Sequence, residues 1–168
     1  MFPISVSMLF LWVFSMGCRS ETREESFEKN RQALFLKAEH SPVSILVRSD
    51  EVWSASHVRI QKGEPLDFQV EFRSPWTDNG IKANLEGWLQ ADPRIQLFAP
   101  FRRVKNLKFF QFGACIDKNL SHCFSISTHS QRVPDTSGEL YFFVNDVPHF
   151  ELNNEGSALV TVRPLGPS

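Results

Sequence analysis

Alternating apolar and polar positions govern the chain from residue 43 onward. VSILVR, residues 43–48, reads as a first strand, HVRIQKGEPLDFQVEF, residues 57–72, as two strands parted by a Lys62-Gly63-Glu64-Pro65 turn, and ALVTVRP, residues 158–164, as the last. ELYFFVNDV, residues 139–147, supplies a further apolar strand whose FFVN tract suits a fully covered centre. SPWTDNGIKANLEGW, residues 74–88, carries the turn signal Asp78-Asn79-Gly80 and is expected to open with a turn and continue as helical or irregular chain. IQLFAPFRRVKNLKFFQFGACI, residues 95–116, is rich in Phe and broken by Pro100, a pattern of strands joined by a substantial loop. Upstream, RSETREESFEKNRQ, residues 19–32, is charged and poor in apolar side chains, as a tether or surface-lying helix would be, and ALFLKAEHSP extends such a helix only as far as Pro42.

The chain contains 16 Phe, and these are most simply the core of two packed sheets, because a sheet must bury one face against another layer. The expected fold is therefore all-β, a small antiparallel, jelly-roll-like β-sandwich. No glycine-rich strand-to-helix element suggests nucleotide binding. With 18 basic and 19 acidic residues the formal net charge is −1, which gives no support to a nucleic-acid surface; the basic group FRRVKNLK, residues 101–108, reads as a solvated loop or strand edge.

The N-terminal pattern differs from everything after it. An uncharged apolar run reaches Gly17 and Cys18 and then turns abruptly polar. It is short for a membrane span and fits a secretory signal peptide over residues 1–17. SMGC puts a small residue directly before Cys18, as lipoprotein processing requires, so that Cys18 would carry the lipid and residues 18–40 would form the tether of an exported protein at a bacterial outer membrane or cell surface. Residues 41–168 then remain for one domain, long enough for a substantial core. In an oxidising compartment Cys115 and Cys123 are expected to pair as a structural disulfide; their spacing matches no usual zinc pattern.

Candidate chemistry concentrates in YFFVNDVPHFELNNEGSALVTV, residues 141–162, where Asp146, Glu151, Asn153, Asn154 and Glu155 fill one connection between apolar ends. A calcium site needs hard oxygen donors, and one carboxylate combined with amide and backbone oxygens can complete it. Asp146 supplies the charge, Asn153 and Asn154 turn their oxygens toward the same ion if the chain curls back, Pro148 stiffens the return and Gly156 accommodates the bend. Glu151 or Glu155 either adds charge or faces water. The competing reading is a polar hairpin whose asparagines cap turns. Asp117, His122, Ser125, Ser127 and His129, with the Asp146 and Glu151 carboxylates, contain catalytic group types, but no Gly-x-Ser-x-Gly element accompanies them and an enzyme is not expected.

NDVPHFELNNEGSALVTV, with VRIQKGEPLDF and GACIDKNLSHCFSI, resembles the PA-I type calcium-dependent galactose-binding lectins of bacteria, over most of residues 43–163. The resemblance implies a small lectin-like β-sandwich that binds one Ca2+ near its edge, with vicinal sugar hydroxyls completing the metal shell. It implies metal ligation by the Asp146 carboxylate, the Asn153 and Asn154 side-chain oxygens and the Phe150 backbone carbonyl, with a further carbonyl from Trp76 to Asn79. On the sugar side it implies Gln111, beside the ion held by Asp146 and Asn153; from the residues themselves, His149, Phe150, Trp76 or Trp88 are candidates for contact with the apolar face of a sugar ring, with a core role the alternative for each Trp. Lys108 stands where the family has His, which puts the galactose preference in doubt. The partners implied are glycans or sugar-bearing molecules of a host or envelope, with assembly from identical subunits allowed. The alternative is a structural or protein-binding surface lipoprotein on the same sandwich.

Overall fold

The computed structural model describes residues 41–88 and 93–165, so the expected signal peptide, Cys18 and tether lie outside the described residues. The elements are β1 (Val43–Arg48), β2 (Ser54–Ile60), β3 (Leu66–Asp78), β4 (Ile81–Asn84), β5 (Gly87–Trp88), a short helix α1 (Pro93–Phe98), β6 (Phe112–Ile116), β7 (Cys123–Ser125), β8 (His129–Arg132), β9 (Gly138–Val144) and β10 (Asn154–Pro164). Two antiparallel sheets result. One runs β1-β10-β3-β4-β5 with β8 also pairing β3, and the other runs β2-β9-β6-β7. The fold is the all-β sandwich expected.

The strands form where side chains alternate between core and solvent. In β2, Val58 and Ile60 are buried while His57 and Arg59 are exposed. Facing them across the sandwich, Phe68 and Val70 of β3 join Val160 and Val162 of β10; in the sheet of β2 itself, Phe142 of β9 stacks on Phe112 of β6 with ring centroids 5.8 Å apart. Each such buried side chain contributes about 1.5–3 kcal/mol through removal of apolar surface from water.

Strand β6 is buried along its whole length, which a strand facing water on one side would not be. Phe112, Ala114 and Ile116 point into the main core; Cys115 packs outward with Cys123, Val104, Leu107, Phe143 and Trp53. Cys115 and Cys123 are disulfide-bonded across the β6–β7 pair, with Cα atoms 4.1 Å apart. The outer layer is thus the segment 102–111 folded over the second sheet. Gly113 permits that approach, since a Cβ there would lie 2.9 Å from both Leu107 Cδ1 and the Phe124 carbonyl.

Two stretches depart from the expected local structure. Residues 74–88 open as strand, not as turn: β3 continues through Trp76 to Asp78 because β10 pairs with it along most of its length, and the chain then turns at Asn79-Gly80 into β4 and β5. Residues 95–111 hold the end of α1, a 3-10 turn over Ala99–Phe101 and irregular chain, with strand resuming only at Phe112. Among the described residues no helix is long and apolar enough to cross a membrane.

Candidate functional site

The connection from β9 to β10 is built in three steps. After Val144 the backbone leaves the sheet with Asn145 and Asp146 both buried, then turns through Val147–Phe150, closed by the Phe150 N–H on the Val147 carbonyl at 3.1 Å. His149 takes φ +74° in that turn. A 3-10 turn over Glu151–Asn153 follows, and β10 begins at Asn154. Gly156, at φ +113°, lies at the irregularity where β10 first meets β3; a Cβ there would sit 2.3 Å from the Pro75 carbonyl oxygen, so only glycine fits.

The chain does curl back. The Asn154 Nδ2 donates to Asp146 Oδ2 at 2.9 Å and to the Ser49 carbonyl at 3.1 Å, which joins the two ends of the connection. Asp146 Oδ1 accepts the Val147 N–H at 2.6 Å. Burial pushes the Asp146 carboxyl above its ordinary value, against the hydrogen bonds from Asn154 and Val147. Asn154 Oδ1 is buried and has no hydrogen-bond partner among the described residues. A buried carboxyl and an orphaned amide oxygen thus belong to two hydrogen-bonded side chains, and the amide oxygen still wants a positive partner.

The β3–β4 hairpin completes the site. Asn79 and Gly80 both have positive φ, +45° and +79°, the conformation of a tight two-residue hairpin turn. The Asn153 Nδ2 donates to Asp78 Oδ1 at 3.0 Å, and the Asn79 N–H meets the Asn153 carbonyl at 3.4 Å. A cleft opens between these elements. Asp78, Asn79, Asp146 and Asn153 supply its polar lining, and Ile81, Trp88, Phe98, Phe109, Val147 and Phe150 its apolar lining. The rings pair along the wall: Trp88 with Phe109 at 4.4 Å, and Phe98 with Phe150 at 6.3 Å between centroids.

Of the residues singled out in the sequence, Asp146, Phe150 and Asn153 line this cleft, and Asn154 is joined to it through Asp146. From the stretch Trp76 to Asn79, Asp78 and Asn79 reach it, while Trp76 is fully buried in the core against Phe72 and Phe112. Gln111 and His149 do not line it. Gln111 is buried and its Oε1 accepts the Lys108 N–H at 2.9 Å, closing the turn before β6; His149 projects from the exposed part of its turn. The catalytic group types are scattered: His129 bonds Asp67 at 2.8 Å, His122 approaches Asp135 at 3.4 Å, and Asp117 accepts the Glu139 N–H at 2.8 Å.

Sequence reasoning missed what lies beneath the site. Arg103, from the tract read as solvated, is buried and ion-paired with Glu151, itself 2% exposed. The Arg103 guanidinium also donates to the Val52 carbonyl at 2.6 Å and lies 4.9 Å from the Trp53 ring centre. Its neighbour in the chain, Arg102, instead wraps the carbonyls of Ala99 and Leu107, each at 2.7 Å. No signal in the sequence separates these two arginines. Asn145 was missed as well: fully buried, its Oδ1 accepts the Val104 N–H and its Nδ2 donates to the carbonyls of Val104, Leu107 and Lys108.

Among the described residues no three His, Cys, Asp or Glu side chains converge as a metal cluster. The donor chemistry is instead mixed carboxylate, amide and carbonyl oxygen, which suits a hard cation with many oxygen ligands. The orphaned oxygen of Asn154, on the amide that bonds the buried Asp146 carboxyl, is compatible with such an ion, which Asp146, Asn153, Asn154 and the Phe150 carbonyl would hold.

No family model matches the chain, and no curated protein does. Among solved structures it is similar to the N-terminal domain of EclA, described as a PllA-like lectin, with 16% sequence identity and a TM-score of 0.53 over 72% of this chain and 94% of that one. At that identity the likeness establishes a lectin-like β-sandwich fold.

Proposed function

We propose that this chain is a calcium-dependent carbohydrate-binding module of an exported, lipid-anchored surface protein. The observation that carries the reading is the junction of Asp146 with Asn154: a buried carboxylate that lines a cleft with an aromatic wall is bonded to an amide whose own oxygen is buried and unpartnered among the described residues. A hard cation held there retains attraction for neutral hydroxyl groups, and the rings of Trp88, Phe98, Phe109 and Phe150 offer contact to the apolar face of a sugar. The function is binding and not catalysis. The lipid anchor rests on the sequence around Cys18 alone.

A specific observation favours a second reading, a structural or protein-binding lipoprotein that keeps the ion and takes no sugar. Gln111, carried over from the lectin resemblance as a sugar contact, spends its side-chain oxygen on the Lys108 backbone, and Lys108 replaces a histidine of that family. Calorimetric titration of the metal-stripped protein with calcium, alongside Asp146→Ala, tests the ion site: saturable one-to-one binding lost in the variant is the expected result. No uptake by the folded wild type overturns it. A glycan array with and without calcium then separates the two readings, since a calcium response with no glycan bound leaves only the second.

A further inference from the structure

We infer that Arg103 is the positioning residue of the ion site, its buried pair with Glu151 setting the distance between Asp146 and the Asn153–Asn154 donors. The inference rests on the ion site proposed above. The donors sit at opposite ends of the β9–β10 connection, and one outside segment, residues 102–111, fastens both ends. At the first end the Arg103 N–H donates to the Asp146 carbonyl at 2.9 Å, and Asn145 is locked to the same segment by its side chain. At the other, the Arg103 guanidinium holds the Glu151 carboxylate, two residues before Asn153. One residue therefore grips the connection by its backbone on one side and by its side chain on the other.

The guanidinium has little freedom to move. It is fixed by the Val52 carbonyl, by Trp53 and by the Phe143 ring at 5.8 Å, and the Arg103 and Glu151 side chains are only 5% and 2% exposed. Buried ion pairs of this kind are often replaceable by apolar side chains without loss of stability, because desolvation offsets the attraction. Stability is thus a weak explanation for this one, whereas directional bonds from a planar, rigid fork are a strong means of fixing geometry.

The test compares calcium titrations of the wild type, of the double variant Arg103→Met with Glu151→Leu, and of Arg103→Lys, each at a temperature where circular dichroism shows it fully folded. The double variant is expected to keep its metal-free Tm within about 4 °C of wild type while its calcium affinity falls at least about tenfold. Arg103→Lys, which keeps the charge but not the fork, is expected to lose several-fold in affinity and decides the matter alone if the double variant does not fold. Folded variants that bind calcium as tightly as wild type overturn the inference. Wild type that takes up no calcium is a different failure, that of the ion site itself.

Discussion

Two connections in this sandwich each carry the chain from one sheet to the other, and they could hardly be more different. Between β2 and β3 the chain turns over Lys62-Gly63-Glu64-Pro65, with Lys62 and Gly63 exposed, Gly63 at φ +82°, and backbone bonds that include the Gly63 N–H to the Pro134 carbonyl at 2.9 Å and the Glu64 N–H to the Gln61 carbonyl at 3.2 Å. Between β9 and β10 the chain buries Asn145, Asp146, Glu151 and Asn154 instead of leaving them in water. Desolvating that many polar groups opposes folding unless each finds a partner. Each has at least one: Asn145 clamps the 102–111 segment, Glu151 meets Arg103, and Asp146 accepts from the Val147 N–H and from the Asn154 amide nitrogen, which also bonds the Ser49 carbonyl. What remains is a carboxylate pushed toward protonation and an oxygen without a donor, the two groups an ion would satisfy. The β2–β3 turn carries none of this.

The contrast is broken most severely at Arg103. Arg103→Ala strands the Glu151 carboxylate in the interior and is expected to destabilise the protein by about 3–5 kcal/mol, whereas Lys62→Ala in the exposed turn should stay within about 0.5 kcal/mol; urea unfolding of both variants measures the gap. The next effect depends on calcium. At a free calcium concentration one hundred times Kd, wild type should gain about 2.7 kcal/mol, and Asp146→Asn should gain nothing, while in chelator the variant should be no less stable than wild type because an unfavourably buried charge has gone. Thermal unfolding with and without the ion reads both. Asn145→Ala comes third. It leaves the Val104 N–H and neighbouring carbonyls unpaired, at about 1–3 kcal/mol for a buried group, and amide exchange should quicken across residues 102–111.

The smallest effect lies away from the site and sharpens the comparison by its sign. Burial pushes the Asp67 carboxyl up, but hydrogen bonds from His129 and Gln131 outweigh it and hold the group below its ordinary value of 3.8. A depressed carboxylate contributes stability above its unfolded pKa and loses it as pH falls through the folded one. His129→Ala should therefore shift the onset of acid unfolding upward in pH, and calcium affinity at neutral pH should be unchanged. A change in that affinity would mean that the two ends of the sandwich are coupled.

Much of the architecture is visible in alternation alone. The first strand has the bounds read for it, and the covered FFVN tract and the 62–65 turn lie where the pattern puts them, because period-two burial is a local property of a pleated chain. The stretch 74–88 was misread for the opposite reason. Its strand character comes from β10 lying alongside, a partner eighty residues away that no local pattern announces.

The candidate site divides in the same way. Composition alone shows that one connection holds Asp146, Asn153 and Asn154 within nine residues, and it leaves an oxygen-ligand site and a turn-capping polar hairpin both open. Tertiary structure alone decided that Asp78 and Asn79 join them, that Gln111 and His149 stand aside, and that Arg103 is buried while Arg102 caps a loop. The physical reason is that donor type is written in the side chain, whereas burial and pairing depend on which distant segment packs against it. For a charged residue that packing separates a solvated surface group from a buried clamp.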